Sequence, residues 1–354
     1  MNNRIFSEKI VEWYREYHRD LPWRNTQEPY KIWLSEIILQ QTRVIQGLPY
    51  YEKFIQEFPE INSLARAKEE KVLRLWQGLG YYTRARNLHK CAVEIVRKFN
   101  GIFPPAFNEL KKLPGVGDYT AAAIASFAFG ERVAVVDGNV QRVLSRVFGI
   151  TENVSTPSGK KYFFEWANTL ISADDPGRYN QAIMEFGALQ CVPRNPKCDA
   201  CIFSASCFAR RNQQQHLFPV KRRPAKVTHR YLYYFIFSAG RKFLMKKRLE
   251  KDIWNSLYDF PLRETKRSVS QMKIQILFPS VSGVKVKSKM SKVYKHVLTH
   301  QIIHARFIHF EIPQAKSDSL RKKIEGSGWF SQSQIARLPK PVLISRFLHD
   351  DRIL

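Results

Sequence analysis

The sequence predicts an all-α region through residue 208, followed by a smaller mixed α/β domain. Three observations carry that prediction. Apolar residues recur at helical spacing through most of the first half, interrupted by Pro, Gly-x-Gly and Asn-Gly breakers. The stretch "ARRNQQQHLFPVKRRPAKVTH" at 209–229 is polar, basic and aperiodic, which suits a linker. Beyond it, aromatic and β-branched residues gather into short runs of strand character. At 354 residues the chain is also too long for one ordinary domain.

The elements follow in order. "NRIFSEKIVEWYREY" opens the chain with apolar residues at helical spacing. "EPYKIWLSEIILQQTRVI" places Pro29 early in a helix with an apolar run behind it. "LPYYEKFIQEF", "INSLARAKEEKVLRLWQGLG" and "YTRARNLHKCAVEIVRKFNG" continue the series, ending at breakers. "FNELKKL" then meets the turn "PGVG", and "DYTAAAIASFAFG" reads as a tightly packed, Ala-rich helix. No repeat of fixed period is present. Later, "RYLYYFIFS", Ala239-Gly240 and "RKFLMKKR" read as a hairpin, with "VYKHVL" and "IIHARFIHFEI" as further strands.

The formal net charge of +27 is unevenly placed. Residues 209–354 hold 31 Lys and Arg against 9 Asp and Glu, a net +22, which leaves +5 for residues 1–208. Such a field calls for a polyanion, and nucleic acid fits it better than an anionic membrane or mere solubility. No apolar run approaches the roughly 18 residues of a membrane span, and the charged N-terminus lacks a signal-peptide core. The expected compartment is therefore the cytosol, where thiols stay reduced and disulfides are a poor reading of cysteines. Four of the five cysteines lie in "CVPRNPKCDACIFSASC", at C-x6-C-x2-C-x5-C. Cys191, Cys198, Cys201 and Cys207 suit a metal site, and by spacing alone zinc and iron–sulfur are equally good. Cys91, amid apolar residues, reads as a core thiol.

Two further constellations carry chemistry. In "LKKLPGVGDYTAAAIASF", Gly115 and Gly117 sit in a turn directly ahead of a helix, whose free N–H groups suit a backbone phosphate. Alone this is equally an ordinary αα-corner. Ile32, Glu36 and Gln40 fall at i, i+4 and i+8 on one helical face, where a lone Glu would ordinarily be a solvated residue. "VAVVDGNVQRVLSR", about 20 residues past the turn, supplies a second carboxylate, Asp137.

Taken together, "LPGVG", the Asp that follows it and the cysteine spacing resemble the helix-hairpin-helix DNA glycosylase superfamily. "WLSEIILQQT", "PWR" at 22–24, "GLGYYTRARNL" at 78–88 and "YNQAIMEFGALQC" at 179–191 are similar to its MutY branch of adenine glycosylases, closely over residues 7–210 and loosely beyond. The resemblance implies an iron–sulfur helical subdomain from 1–29 and 135–208, a six-helix subdomain with the hairpin at 30–134, a linker at 209–229 and a Nudix-like lesion-recognition domain at 230–354. It implies a 4Fe–4S cluster on the four cysteines, and double-stranded DNA with A·8-oxoguanine or A·G mispairs as substrate. The expected form is a monomer in the bacterial cytoplasm, associated with the nucleoid. A flipped adenine would be protonated by Glu36, with Asp137 stabilising the oxocarbenium ion and Tyr119 and Asn139 holding the carboxylates and water. Trp23, Arg24 and Gln181 would line the adenine pocket, and Gln40 and Tyr81 would fill the gap left in the base stack. Gly115, Gly117, Arg86, Arg194 and Lys197 would meet DNA phosphates.

Bifunctional relatives carry a Lys where this chain has Tyr119, and a phenol cannot form an imine, so hydrolysis without strand cleavage is expected. The last domain lacks a Gly-x5-Glu-x7-Arg-Glu-type box, so pyrophosphate hydrolysis is not expected. Where the family's recognition loop reads Phe-Ser-His, this chain has Leu298-Thr299-His300. Thr keeps a hydroxyl for the lesion, while Leu cannot stack as Phe would. The spacing of His296, His300 and His304 falls in strand-turn-strand sequence and is not read as zinc. The rivals are an endonuclease III-like lyase, a G·T thymine glycosylase and a non-catalytic DNA-binding protein. Tyr119, the long C-terminal region and the pair Glu36 and Asp137 speak against them.

Overall fold

Several helix starts in this chain are set by a capping side chain or an early proline. Asn2 caps α1 (Asn3–Tyr17), and Pro29 opens α2 (Pro29–Leu39). There follow α3 (Val44–Glu57), α4 (Ile61–Arg66), α5 (Glu69–Leu75), α6 (Thr83–Phe99), α7 (Phe107–Leu110) and α8 (Asp118–Phe129). Asp137 caps α9 (Gly138–Phe148), Thr156 caps α10 (Pro157–Leu170) and Asp175 caps α11 (Pro176–Leu189). A short α12 (Phe208–Arg211) ends the helical series. The computed structural model describes residues 2–221, 227–270 and 289–354.

Two sequence-predicted helices are each split. The run from Pro29 breaks after Leu39: Gln41 takes a left-handed φ of +56°, and α3 restarts at Val44 with Pro49 in its interior. The run from Ile61 stops at Arg66, and Glu69 and Glu70 start a new helix where its N-terminal dipole favours acids. Part of the expected linker is tied down. Gln215 gives its carbonyl to Arg146 (3.0 Å), Phe218 is buried, and Val220 accepts from the Val154 N–H at 3.2 Å. Its residues 222–226 lie outside the described ones.

The chain divides into two compact units, Met1–Arg66 with Asn87–Arg223, and Ala67–Arg86 with Pro224–Leu354. In the first, α1 packs with α9, α10 and α11 around Phe6, Ile10, Phe163 and Phe186, and Phe203 of the cysteine loop joins that core. The α2 helix is buried on almost every face, from Tyr30 through Ile38 with only Lys31 less covered. It packs on α8, where buried Ala121, Ala122, Ala123 and Ala125 allow close approach.

In the second unit, β1 (Thr228–Ala239) and β2 (Lys242–Lys247) form the predicted hairpin. With β3 (Tyr258–Asp259), β4 (Leu262–Thr265), β5 (Lys289–Met290), β6 (Tyr294–Val297), β7 (Gln301–Glu311) and β8 (Ser327–Ser331) they make one mixed sheet. β1 and β7 run parallel through eleven paired residues, Thr228↔Gln301 to Ser238↔Glu311, and the other pairings are antiparallel. One face carries Tyr233, Phe235 and Phe237 against Leu320 of α13 (Ser317–Lys323). Then come α14 (Gln332–Arg337) and α15 (Val342–Asp350), whose Phe347 stacks on Phe307 at 3.9 Å.

The hairpin glycine before α8 tests this packing. Gly115 has a φ of +76°, and a Cβ there would lie 2.6 Å from Asn87 Cβ. Gly115→Ala should therefore destabilise the helical unit by about 1–3 kcal/mol, through strain and the clash together. A thermal or urea melt indistinguishable from wild type would contradict that placement.

Candidate active site

The helical unit holds a cavity of about 660 Å³ whose walls include Trp23, Arg24, Glu36, Tyr119, Asp137, Asn139 and Gln181. Glu36 comes from the middle of α2 and is 6% exposed. Tyr119, one residue into α8, donates its hydroxyl to Glu36 Oε2 at 2.6 Å. Burial raises the Glu36 pKa from 4.5 to about 7; the Tyr119 bond opposes that rise and nearby Asp137 adds to it. Burial also holds the Tyr119 phenol well above its ordinary pKa, so it remains a donor.

Asp137 lies at the N-terminus of α9. Its Oδ1 accepts the backbone N–H groups of Asn139 and Val140, both at 2.8 Å, and its Oδ2 accepts the Asn139 side-chain amide at 2.7 Å. Burial pushes its pKa up, and these three donors and the helix end favour the anion. Asn139 is oriented in turn by Arg142, which donates to its Oδ1 (2.8 Å), to the Gly187 carbonyl (2.5 Å) and to the Cys191 carbonyl (2.7 Å). A chain of side-chain contacts thus runs from the second carboxylate to the first cysteine of the loop.

The opposite wall carries Glu185 and Arg19, which sequence reasoning missed. Arg19 and Arg24 both meet Glu185 Oε2 at 2.6 Å. Burial works to raise the Glu185 pKa, but the two guanidiniums outweigh it and bring it down to about 2. The cavity therefore holds one buried glutamic acid and one buried glutamate. Glu185 lies four residues after Gln181 in "YNQAIMEFGALQC", so helical spacing from an assigned pocket residue was the available signal. Arg24 is bound to the wall by Glu185 and the Arg19 carbonyl (3.1 Å), and Gln181 accepts from the Tyr14 hydroxyl at 3.1 Å.

Gln40 does not project from the site. Its amide donates to Thr120 Oγ1 at 3.2 Å, while the next residue, Gln41, is exposed in the left-handed conformation. Arg194 and Lys197 are exposed on the cysteine loop. Arg86 is half-buried in the second unit and already bonded, to the Asn255 carbonyl (2.7 Å) and Thr83 Oγ1 (2.8 Å). Gly117 carries no strained φ and leaves the first turn of α8 without a side-chain cap. Leu298, Thr299 and His300 form the turn between β6 and β7, and Thr299 Oγ1 meets the hydroxyl of Tyr81 at 2.5 Å. The second unit thus joins two residues that the sequence places 218 positions apart.

Cys191, Cys198, Cys201 and Cys207 line one small cavity of about 20 Å³ together with Arg146 and Gln215. Three donors reach sulfur: Arg146 to Cys191 (3.5 Å), the Phe203 N–H to Cys201 (3.4 Å) and Gln215 to Cys198 (3.7 Å). Burial, and then the neighbouring sulfurs, raise the Cys201 pKa to about 11, so thiolates here require a cationic centre between them. Four soft donors around one cavity, three of them with N–H groups on sulfur, are the residue types an iron–sulfur cluster takes. Among the described residues, no group of three or more His, Cys, Asp or Glu converges as a site for a metal ion. No helix among them is long and apolar enough to cross a membrane.

Known proteins resemble this chain along most of its length. Residues 34–168 match the family described as HhH-GPD superfamily base excision DNA repair protein, and residues 232–350 match the NUDIX domain. An adenine DNA glycosylase of Buchnera aphidicola subsp. Baizongia pistaciae is 34% identical over 347 residues, covering 97% of this chain and 96% of that protein. A thermostable thymine-DNA glycosylase structure is 30% identical, with a TM-score of 0.54 over 59% of this chain and 97% of its own. Endonuclease III in a non-covalent complex with DNA shares the fold, with a TM-score of 0.53 at 20% identity over 61% of this chain and 99% of its own.

Glu36 has a thermodynamic signature of its own. Its folded pKa of about 7 lies above the ordinary 4.5, so between those values the folded state binds more protons than the unfolded. Stability should fall as pH rises through that window. Glu36→Gln removes the effect, so the variant should gain about 1–3 kcal/mol on wild type between about pH 5 and pH 8. Parallel denaturation curves that show no widening would mean Glu36 is not a buried acid.

Proposed function

Because the chain belongs to the adenine DNA glycosylase family, we propose that it excises adenine mispaired with 8-oxoguanine or guanine, by hydrolysis and without cutting the strand. The observation that carries this reading is the pairing of Glu36, kept protonated by burial, with Asp137, anchored on a helix N-terminus in the same cavity.

A stacked base is out of reach of a buried acid, so adenine leaves the duplex and enters between Trp23, Arg24 and Gln181. The carboxyl proton of Glu36 passes to N7, and the C1′–N9 electron pair departs with the base. Positive charge then grows on the sugar and is met by the Asp137 carboxylate. Water adds to C1′ and gives up its proton, which restores Glu36. Tyr119 keeps Glu36 in place, and Asn139 does the same for Asp137. Neither supplies an amine, so no imine forms.

The four cysteines would hold a 4Fe–4S cluster, whose contribution is to fold residues 191–207 and set Arg194 and Lys197 facing phosphate. Gly115 and Gly117 bring backbone N–H groups to a phosphate at the start of α8. Gln41 replaces Gln40 in our assignment of the residue that enters the base stack, since strain at an exposed non-glycine position marks function. Thr299 and His300 read the opposing base.

Single-turnover base release on A·8-oxoguanine, A·G, G·T and thymine glycol duplexes tests the reading. Activity should be confined to the two adenine mispairs, with no adduct trapped by borohydride. The rate should drop about tenfold per pH unit above about pH 7, as Glu36 loses its proton. Glu36→Gln and Asp137→Asn should bind the A·8-oxoguanine duplex yet lose at least about 10²-fold in rate. Release of thymine, or efficient borohydride trapping, would overturn the assignment.

Discrimination is a separate expectation. The double variant Thr299→Ala, His300→Ala should keep its affinity for undamaged DNA while its preference for 8-oxoguanine over guanine falls about tenfold or more. An unchanged preference would move lesion reading elsewhere in the chain.

A further inference from the structure

The turn from Gly78 to Tyr81 is bracketed by two residues that grip the backbone of one and the same residue, Lys340. Before it, Gln77 accepts the backbone N–H of Lys340 on Oε1 (3.4 Å) and donates from Nε2 to Ser345 Oγ (3.1 Å). After it, Tyr82 donates its hydroxyl to the carbonyl of Lys340 at 3.3 Å. Lys340 is 3% exposed, and its ammonium donates to the carbonyls of Ile335 (2.7 Å) and Leu338 (3.0 Å) at the end of α14. A buried ammonium is unfavourable unless its donors are used, and here two carbonyls use them. Pro339 and Pro341 flank it and narrow the backbone further, and Pro339 accepts the Tyr258 N–H at 2.8 Å. The strap is therefore rigid on its own account.

What the strap holds is a strained turn. Tyr81 has a φ of +49°, a conformation that a bulky side chain adopts only when its surroundings impose it. From within the turn's own segment, Arg84 lies over the rings of Trp76 (5.0 Å) and Tyr81 (5.7 Å) and donates to the carbonyls of Leu79 and Gly80. In this conformation the Tyr81 ring is exposed while its hydroxyl meets Thr299.

We propose that Lys340 is a positioning residue for base-pair recognition: its strap clamps the turn at both ends and so holds Tyr81 against Thr299 as the second arm of one reader. The proposal rests on the reading of Thr299 as a residue that recognises the opposing base, and it extends that role to Tyr81, which Thr299 contacts. It differs from simple packing in a way that can be measured. Loss of a packing residue lowers stability alone, whereas loss of the clamp acts on discrimination through Tyr81.

The test uses the full chain and has two readouts. In Lys340→Met, amide hydrogen exchange across 78–84 should speed up while the β1–β7 core keeps its protection. Single-turnover rates should show the preference for A·8-oxoguanine over A·G falling about fivefold or more. The same substitution on a Tyr81→Ala background should change that preference no further. Gln77→Ala severs the same grip without emptying a buried site, and it decides the matter if Lys340→Met is poorly folded. Unchanged exchange across 78–84 in the folded variant, or losses that simply add to those of Tyr81→Ala, would overturn the proposal. If the turn loosens but Tyr81→Ala itself leaves the preference intact, the clamp stands and the recognition role of Tyr81 is what falls.

Discussion

The helical unit is organised around a carboxyl group that must be kept from water and yet remain useful. Glu36 sits on a helix buried on nearly every face, and a cation in direct contact with it would strip its proton. The structure supplies a phenol instead. A phenol donates one hydrogen bond, which fixes the carboxyl group, and its own pKa is too high for it to compete as an acid. The alanines of α8 follow from this need, because larger side chains there would hold α8 away from α2 and leave Tyr119 out of reach. Glu185 shows the alternative outcome in the same cavity. Two guanidiniums hold it as an anion, and it serves to fix Arg19 and Arg24 in the wall. Environment alone separates two chemically identical side chains into acid and counter-ion.

Asp137 meets the opposite demand, since it must stay anionic while buried. Three N–H donors and a helix N-terminus favour its charge, and the donor from Asn139 is only as good as the orientation of that amide. Arg142 fixes the amide and spends its remaining donors on the carbonyls of Gly187 and Cys191. Gly187 permits the arrangement, because a Cβ there would lie 2.7 Å from Asn139 Cβ. The cysteine loop is thereby joined to Asp137 by directional bonds. Any disturbance of residues 191–207 reaches Asp137 through Arg142, and this makes the loop more than a distant phosphate contact.

These features were unevenly legible in the sequence. Glu36 and Asp137 stand in distinctive local contexts, an apolar helix and a helix cap, so each is readable from a few residues around it. The break after Leu39 was not, because the residues from Gln40 to Arg43 are ordinary helix formers and only tertiary contacts, such as Gln40 with Thr120, end the helix there. For the same reason the residue entering the base stack was read as Gln40, whereas the exposed, left-handed residue at this break is Gln41. Arg19, Arg142 and Lys340 were invisible as functional candidates, since in sequence a buried arginine or lysine looks like a solvated one. Their roles come from partners far away along the chain, and so does the contact of Tyr81 with Thr299.

On the proposed reading, the division of charge gives the second unit two distinct tasks. Most of the chain's positive charge lies after residue 208, and such charge attracts DNA without regard to sequence. Attraction of that kind cannot tell 8-oxoguanine from guanine, which differ by a few atoms on one base. Discrimination needs short, directed contacts from a surface that does not yield, and long lysine and arginine side chains are poorly suited to that. Tyr81 and Thr299 are short-range groups on turns, and turns are ordinarily the most yielding parts of a fold. Rigidity has to be imported to them, and the sheet does so for Thr299 by placing it between paired strands β6 and β7. Tyr81 lies on the turn between α5 and α6, outside any strand. That turn belongs by sequence to the helical half yet packs with the unit that contains Lys340, so on the proposed reading the charge of that unit and the geometry of its reader are properties of one folded piece.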